Sequence, residues 1–167
     1  MFEPAYKSLP PVDYVSMIRS LYGDRRSQLL GAFGSAAAVV LTWLESGSPV
    51  LLGVALAFVV VGIARNLDMA DFERTTLEDT DVEGARRWEL RATVGGGAIA
   101  LLYGFWMAYS FLVVNSTFAE LASLGVSMAV LVGVAVRNFA VQRVMMVQVM
   151  LLCIPSWIGM LFDGHLY

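Results

Sequence analysis

All eleven Lys and Arg of this chain fall in alternate connections between five apolar segments. The segments run over about Leu29–Leu44, Val50–Ala64, Ala92–Val114, Phe118–Val136 and Val144–Phe162. Lys7, Arg19, Arg25 and Arg26 precede the first. Arg65, Arg74, Arg86, Arg87 and Arg91 lie between the second and third, and Arg137 and Arg143 between the fourth and fifth. The connections Glu45–Pro49 and Asn115–Thr117 carry none, nor does the tail from Asp163. Connections rich in Lys and Arg stay in the cytoplasm. The expected fold is therefore all-α: a polytopic membrane helix bundle with five transmembrane helices and a cytoplasmic N-terminus. Five spans would leave Tyr167 outside, and a sixth span is expected beyond it.

Composition agrees. The chain is 58% hydrophobic, more than a soluble domain of 167 residues would carry. Its net charge is −3, and topology accounts for the basic residues, so no nucleic-acid partner is expected. The lone Cys153 sits in an apolar segment and rules out an internal disulfide. No short apolar core stands beside a small-residue cleavage site, so the first span is expected to act as an uncleaved insertion signal.

Two regions follow. Residues 1–28 form an amphipathic N-terminal segment, and residues 29–167 the membrane domain. After Pro10-Pro11, Val12, Val15, Ile18 and Leu21-Tyr22 recur at helical spacing, with Asp13, Ser16, Arg19 and Ser20 opposite. A short helix is expected there, lying on the inner membrane surface or packed on cytoplasmic loops. The first two spans, at 16 and 15 residues, are shorter than the about 20 needed to cross. They read as a tight hairpin that borrows flanking residues. A re-entrant hairpin would instead bury the polar Glu45–Pro49 turn. Thr80 with Glu83 fits a capping box, which starts the third helix near Asp81. Asp68, Asp71, Glu73 and Arg74 fit a matching extension of the second, the pair making a small cytoplasmic stalk. A weak repeat, Gly62-Ile63-Ala64-Arg65-Asn66 against Gly133-Val134-Ala135-Val136-Arg137-Asn138, reads as repeated hairpins.

Lipid removes the hydrophobic drive between helices, so close backbone contact takes over. Gly96, Ala100, Gly104 and Ala108 recur every four residues in the third span, and Gly125, Ala129 and Gly133 in the fourth. These two faces are expected to meet, and to support a homo-oligomer. Pro155 should bend the fifth span.

No ionisable residue lies deep in a span; Glu45, Glu120 and Asp163 fall at the outer border. That argues against a proton-coupled transporter or ion pump. His165 with Asp163 falls short of the three or four ligands of a zinc or copper site, and Cys153 is about three helical turns away. No cofactor is expected, and no nucleophile, paired-acid or phosphate-loop motif is present. Tyr103, Trp106, Tyr109 and Phe111 read as an aromatic belt, with a pocket between helices as the alternative. Arg65-Asn66 and Arg137-Asn138 fall at one depth. They read as helix caps with topology signals, or as a pair coupling the bundle to a cytoplasmic output.

Four runs carry a resemblance: Ser20-Leu21-Tyr22-Gly23-Asp24-Arg25-Arg26, Leu67-Asp68-Met69, Arg86-Arg87-Trp88-Glu89 and Arg137-Asn138. In order and placement they resemble the N-terminal membrane domain of bacterial diguanylate cyclases with GGDEF, or GGDEF plus EAL, output domains. The resemblance covers about Val12 to the C-terminus. It implies a six-helix sensor or anchor in the inner membrane, joined to cytoplasmic domains that make or break cyclic di-GMP. The chain carries neither a GGDEF nor an EAL motif, so no catalytic residue transfers, and any cyclase activity would belong to a longer parent. Candidate coupling residues at the inner border are Arg65, Asn66, Arg86, Arg87, Trp88, Arg137 and Asn138. A stand-alone small membrane protein and a transporter or channel subunit are the alternatives.

Overall fold

Six helices and one π-helical turn account for nearly all of the computed structural model, which describes residues 9–139 and 141–162. The helices are α1 (Pro11–Leu21), α2 (Arg25–Ser46), α3 (Pro49–Arg74), α4 (Val82–Tyr109), α5 (Thr117–Asn138) and α6 (Gln142–Leu161). The π-helical turn, Ser110–Val114, continues α4. The chain is an all-α bundle with five helices, α2 to α6, long and apolar enough to cross a membrane.

Local chemistry sets the helix ends. Asp24 caps α2 by accepting from the Ser27 amide at 3.3 Å. Gly47 ends it in the left-handed conformation, φ 69°, with its amide on the Trp43 carbonyl at 2.7 Å. Pro49 opens α3 after one intervening residue, where its lack of an N–H costs nothing. With 22 and 26 residues, these helices reach about 33 and 39 Å, enough for full spans. The short hairpin does borrow its flanks, and α3 runs on to Arg74 as its charged extension predicts. Helix α4 starts at Val82, but its cap is Asp81, not Thr80. The Asp81 carboxylate accepts from the Gly84 amide at 2.8 Å, one residue further along than the capping-box reading placed it.

Helix α1 packs on protein. Tyr14, Val15, Ile18 and Leu21 are buried against Met69, Leu77, Trp88 and Val144. Val12, counted on its apolar face, is 52% exposed.

The packing of α4 departs from the sequence expectation. Its Gly96–Ala108 stripe meets α6, not α5. A Cβ on Gly96 would strike the Gln148 side chain, and one on Gly104 would come within 2.7 Å of the Leu151 carbonyl oxygen. Ala108 is itself the close neighbour of Gly159. Pro155 has no N–H to offer the Leu151 carbonyl, and Gly104 lets α4 approach that oxygen closely. Helix α6 remains helical on both sides of Pro155. On α5 the expected stripe does not pack: nothing lies within 4 Å of a Cβ at Gly125 or Gly133, and Ala129 is exposed. Instead α5 buries Ala119, Ser123 and Ser127. Its apolar window is 17% buried against 44% for α4, which makes α4 the central helix and α5 a peripheral one.

The aromatic-belt expectation is also overturned. Trp106 and Tyr103 are fully buried against Phe58, with ring centroids 6.4 and 4.7 Å away, and Phe111 is also buried. Tyr109 is half-buried and shares a 2.8 Å hydrogen bond with Ser48.

Candidate functional site

The chain's charge and buried polarity converge at the arginine-rich end of the bundle. Three aromatic rings form its centre. Tyr22, in the turn between α1 and α2, stacks on Phe72 of α3 at 4.2 Å. Trp88 of α4 meets both edge-on, at 5.5 Å from Tyr22 and 5.0 Å from Phe72. The Tyr22 hydroxyl donates to the Trp88 carbonyl at 2.9 Å. Two arginines close the stack: Arg65 lies 4.7 Å from the centre of the Tyr22 ring and Arg91 4.4 Å from that of Trp88.

Asp68 joins those arginines. It pairs with Arg65 one turn back on α3, and with Nε of Arg91 on α4 at 3.1 Å. Arg91 also reaches Asp71 at 2.9 Å. The Arg65 side chain is 5% exposed, so its charge depends on this carboxylate. Around the rim, Arg25 donates to Asn66 Oδ1 and to Glu73 at 2.9 Å. Arg19 pairs with Asp79 at 2.7 Å and donates to the Leu77 carbonyl. Tyr14 of α1 donates at 2.5 Å to the buried Glu89 of α4. The amphipathic helix, the start of α2 and the stalk formed by α3 and α4 are thereby one hydrogen-bonded layer.

The candidate coupling residues separate here. Arg65, Asn66 and Trp88 belong to the layer. Arg86 and Arg87 are exposed on α4; Arg87 makes a loose 3.7 Å pair with Glu83, and Arg86 lies close enough to act electrostatically on Tyr14 of the layer. Arg65-Asn66 is no helix cap, because α3 continues nine residues past Arg65. Arg137-Asn138 does end α5, yet its side chains turn inward. Asn138 is buried and donates to Gln148 of α6 at 2.6 Å. With the Gln28 amide turned so that its oxygen faces the guanidinium, Arg137 donates to it through both terminal nitrogens at 2.7 and 2.5 Å. Its Nε is buried without a partner.

Beside this layer lies a cavity of about 580 Å³ among α2, α4, α5 and α6. Its polar end is lined by Asp24, Gln28, Arg65, Arg137, Asn138 and Gln148. Its apolar end runs along Ile99, Ala100, Tyr103, Ala129 and Val130. Sequence reasoning missed both the cavity and the ring cluster. A signal for the cavity was present: Gln28 and Gln148 are amides at the edge of, or inside, apolar segments, where a polar side chain needs a partner. Among the described residues no group of His, Cys, Asp and Glu is arranged to hold a metal ion. The expectation about Asp163 and His165 lies outside the described residues. Cys153 is half-buried in the core.

By fold the chain is a membrane helix bundle, its layer of arginines and aromatic rings at one end. No family model, curated protein or solved structure matches it.

Proposed function

We propose that the chain is a sensory or anchoring module of a cyclic di-GMP signalling protein, set in a bacterial inner membrane. In this reading the N-terminus and the arginine-rich end face the cytoplasm, which the distribution of Lys and Arg supports. The carrying observation is convergence. Four runs far apart in sequence carry the resemblance, and three of them supply Tyr22, Asp68, Met69, Trp88 and Glu89 to the arginine-rich layer. A layer that locks helix ends together at the cytoplasmic border is where a small shift among spans would reach an output domain. The catalytic step belongs to that output domain.

The test is the native polypeptide. Antibody against the chain should detect, in bacterial membranes, a product larger than 18.2 kDa, and its immunoprecipitate should make or degrade cyclic di-GMP. A native product of 18.2 kDa with no effect on cyclic di-GMP sinks the proposal. One observation favours the second reading, a stand-alone protein that assembles with itself. The exposed Gly125, Ala129 and Gly133 face is left unpacked by the chain's own helices and would suit a second copy. Cross-linking through Gly125→Cys would capture that dimer.

A further inference from the structure

The cavity has the shape and chemistry of a site for an amphipathic anion. Its size falls in the range of about 300–1,000 Å³ usual for small-molecule sites. One end is polar and carries two arginines; the other is apolar. The two arginines differ. Arg65 is neutralised by Asp68. Arg137 is half-buried, and among the described residues no carboxylate lies within ion-pair distance of it. Its Nε is buried and unpartnered. The one carboxylate lining the cavity, Asp24, is exposed and engaged in capping α2. A guanidinium held out of water without a counter-ion is costly, and an anion brought to it offsets that cost.

The route of entry identifies the source. Gly31 on α2 and Ala129, Gly133 and Val136 on α5 line the cavity and are themselves exposed. The cavity therefore opens sideways between α2 and α5, through two helices apolar enough to face lipid. An occupant arriving that way comes from the bilayer. Arg137 sits at the end of its span, at the depth of lipid phosphates. Gln28 takes one N–H from each terminal nitrogen, which leaves Nε–H and the remaining N–H groups of the planar guanidinium for a phosphate.

We propose that this cavity holds one anionic phospholipid from the leaflet at the arginine-rich end, with its phosphate on Arg137 and one acyl chain along Ile99, Ala100 and Val130. The proposal stands independently of the signalling reading, since it needs only the bundle. Bound lipid would bridge α2 to α5, the least buried of the spanning helices, and so brace the loosest part of the fold.

Native mass spectrometry of the purified chain in neutral detergent tests it, with phosphatidylglycerol, phosphatidylcholine of the same acyl chains, and glycerol phosphate as probes. The parent should retain one phosphatidylglycerol at least about tenfold more tightly than phosphatidylcholine, whose quaternary ammonium neutralises its own phosphate and so leaves no net charge to offset the arginine. Arg137→Gln should erase that preference. Gly133→Leu, where open space surrounds the added side chain, should fill the mouth and weaken both lipids. Arg143→Gln, at an exposed arginine near the same border, should change nothing. Equal retention of the two lipids by the parent overturns the proposal. So does a phosphatidylglycerol preference that survives Arg137→Gln, or displacement of the lipid by equimolar glycerol phosphate. A lipid-free dimer would show that a second copy covers the mouth instead. If Arg137→Gln fails to fold, judged by circular dichroism, Gly133→Leu decides alone.

Discussion

Arg65 shows how much of this molecule turns on single side chains. It is buried on a long helix, stacked on one ring and bonded to one carboxylate. Arg65→Leu should lower stability in detergent by about 2–3 kcal/mol, less than a fully orphaned partner would cost, because Asp68 keeps Arg91. Thermal unfolding followed by circular dichroism measures it, and Arg65→Lys should recover little, since an ammonium stacks and forks poorly. Tyr14→Phe leaves the Glu89 carboxylate buried without its donor, at about 1–3 kcal/mol. An unchanged melting temperature would mean that α1 is not anchored there. Neither role was legible in the sequence. Arg65 stands where a border arginine is expected, so topology alone explained its presence. That it turns inward depends on Tyr22 and Asp68 being near, which no local pattern encodes.

Among the elements, α4 and α5 carry similar small-residue stripes, and the fold uses only one of them. Gly104→Leu should therefore separate α4 from α6 and cost about 1–3 kcal/mol or more, since the added side chain meets backbone oxygens that cannot move aside. Gly125→Leu should stay within about 0.5 kcal/mol, as an exposed change. Equal effects of the two in a detergent melting experiment would refute the α4–α6 assignment. That five helices are long and apolar enough to cross a membrane was readable because apolar length is a property of one segment. The extension of α3 to Arg74 and the start of α4 beside Asp81 were readable for a similar reason: charges and caps act within a turn or two. The pairing was not readable. Pro155 and Gly159 made α6 as suitable a partner for α4 as the glycines of α5, and in lipid one apolar face resembles another.

At the scale of the whole molecule, the proposed orientation rests on the placement of charge and can be measured directly. In a Cys153→Ala background, a membrane-impermeant maleimide should label Thr117→Cys in intact bacteria and Thr76→Cys only after permeabilisation, as Thr117 is exposed at the first residue of α5 and Thr76 is exposed in the α3–α4 connection at the opposite end. The reverse pattern would invert the bundle and remove the cytoplasmic output from the proposed function. The sequence by itself determined that this protein is a bundle of five spanning helices with its arginines at one end. Transfer into lipid and the placement of charge at its border are summed residue by residue along each segment. Only the tertiary structure decided that α4 is central, that Tyr22, Phe72 and Trp88 meet between Arg65 and Arg91, and that a cavity opens beside Arg137. Those features belong to pairs and groups of helices, and they exist only once close packing has chosen which faces touch.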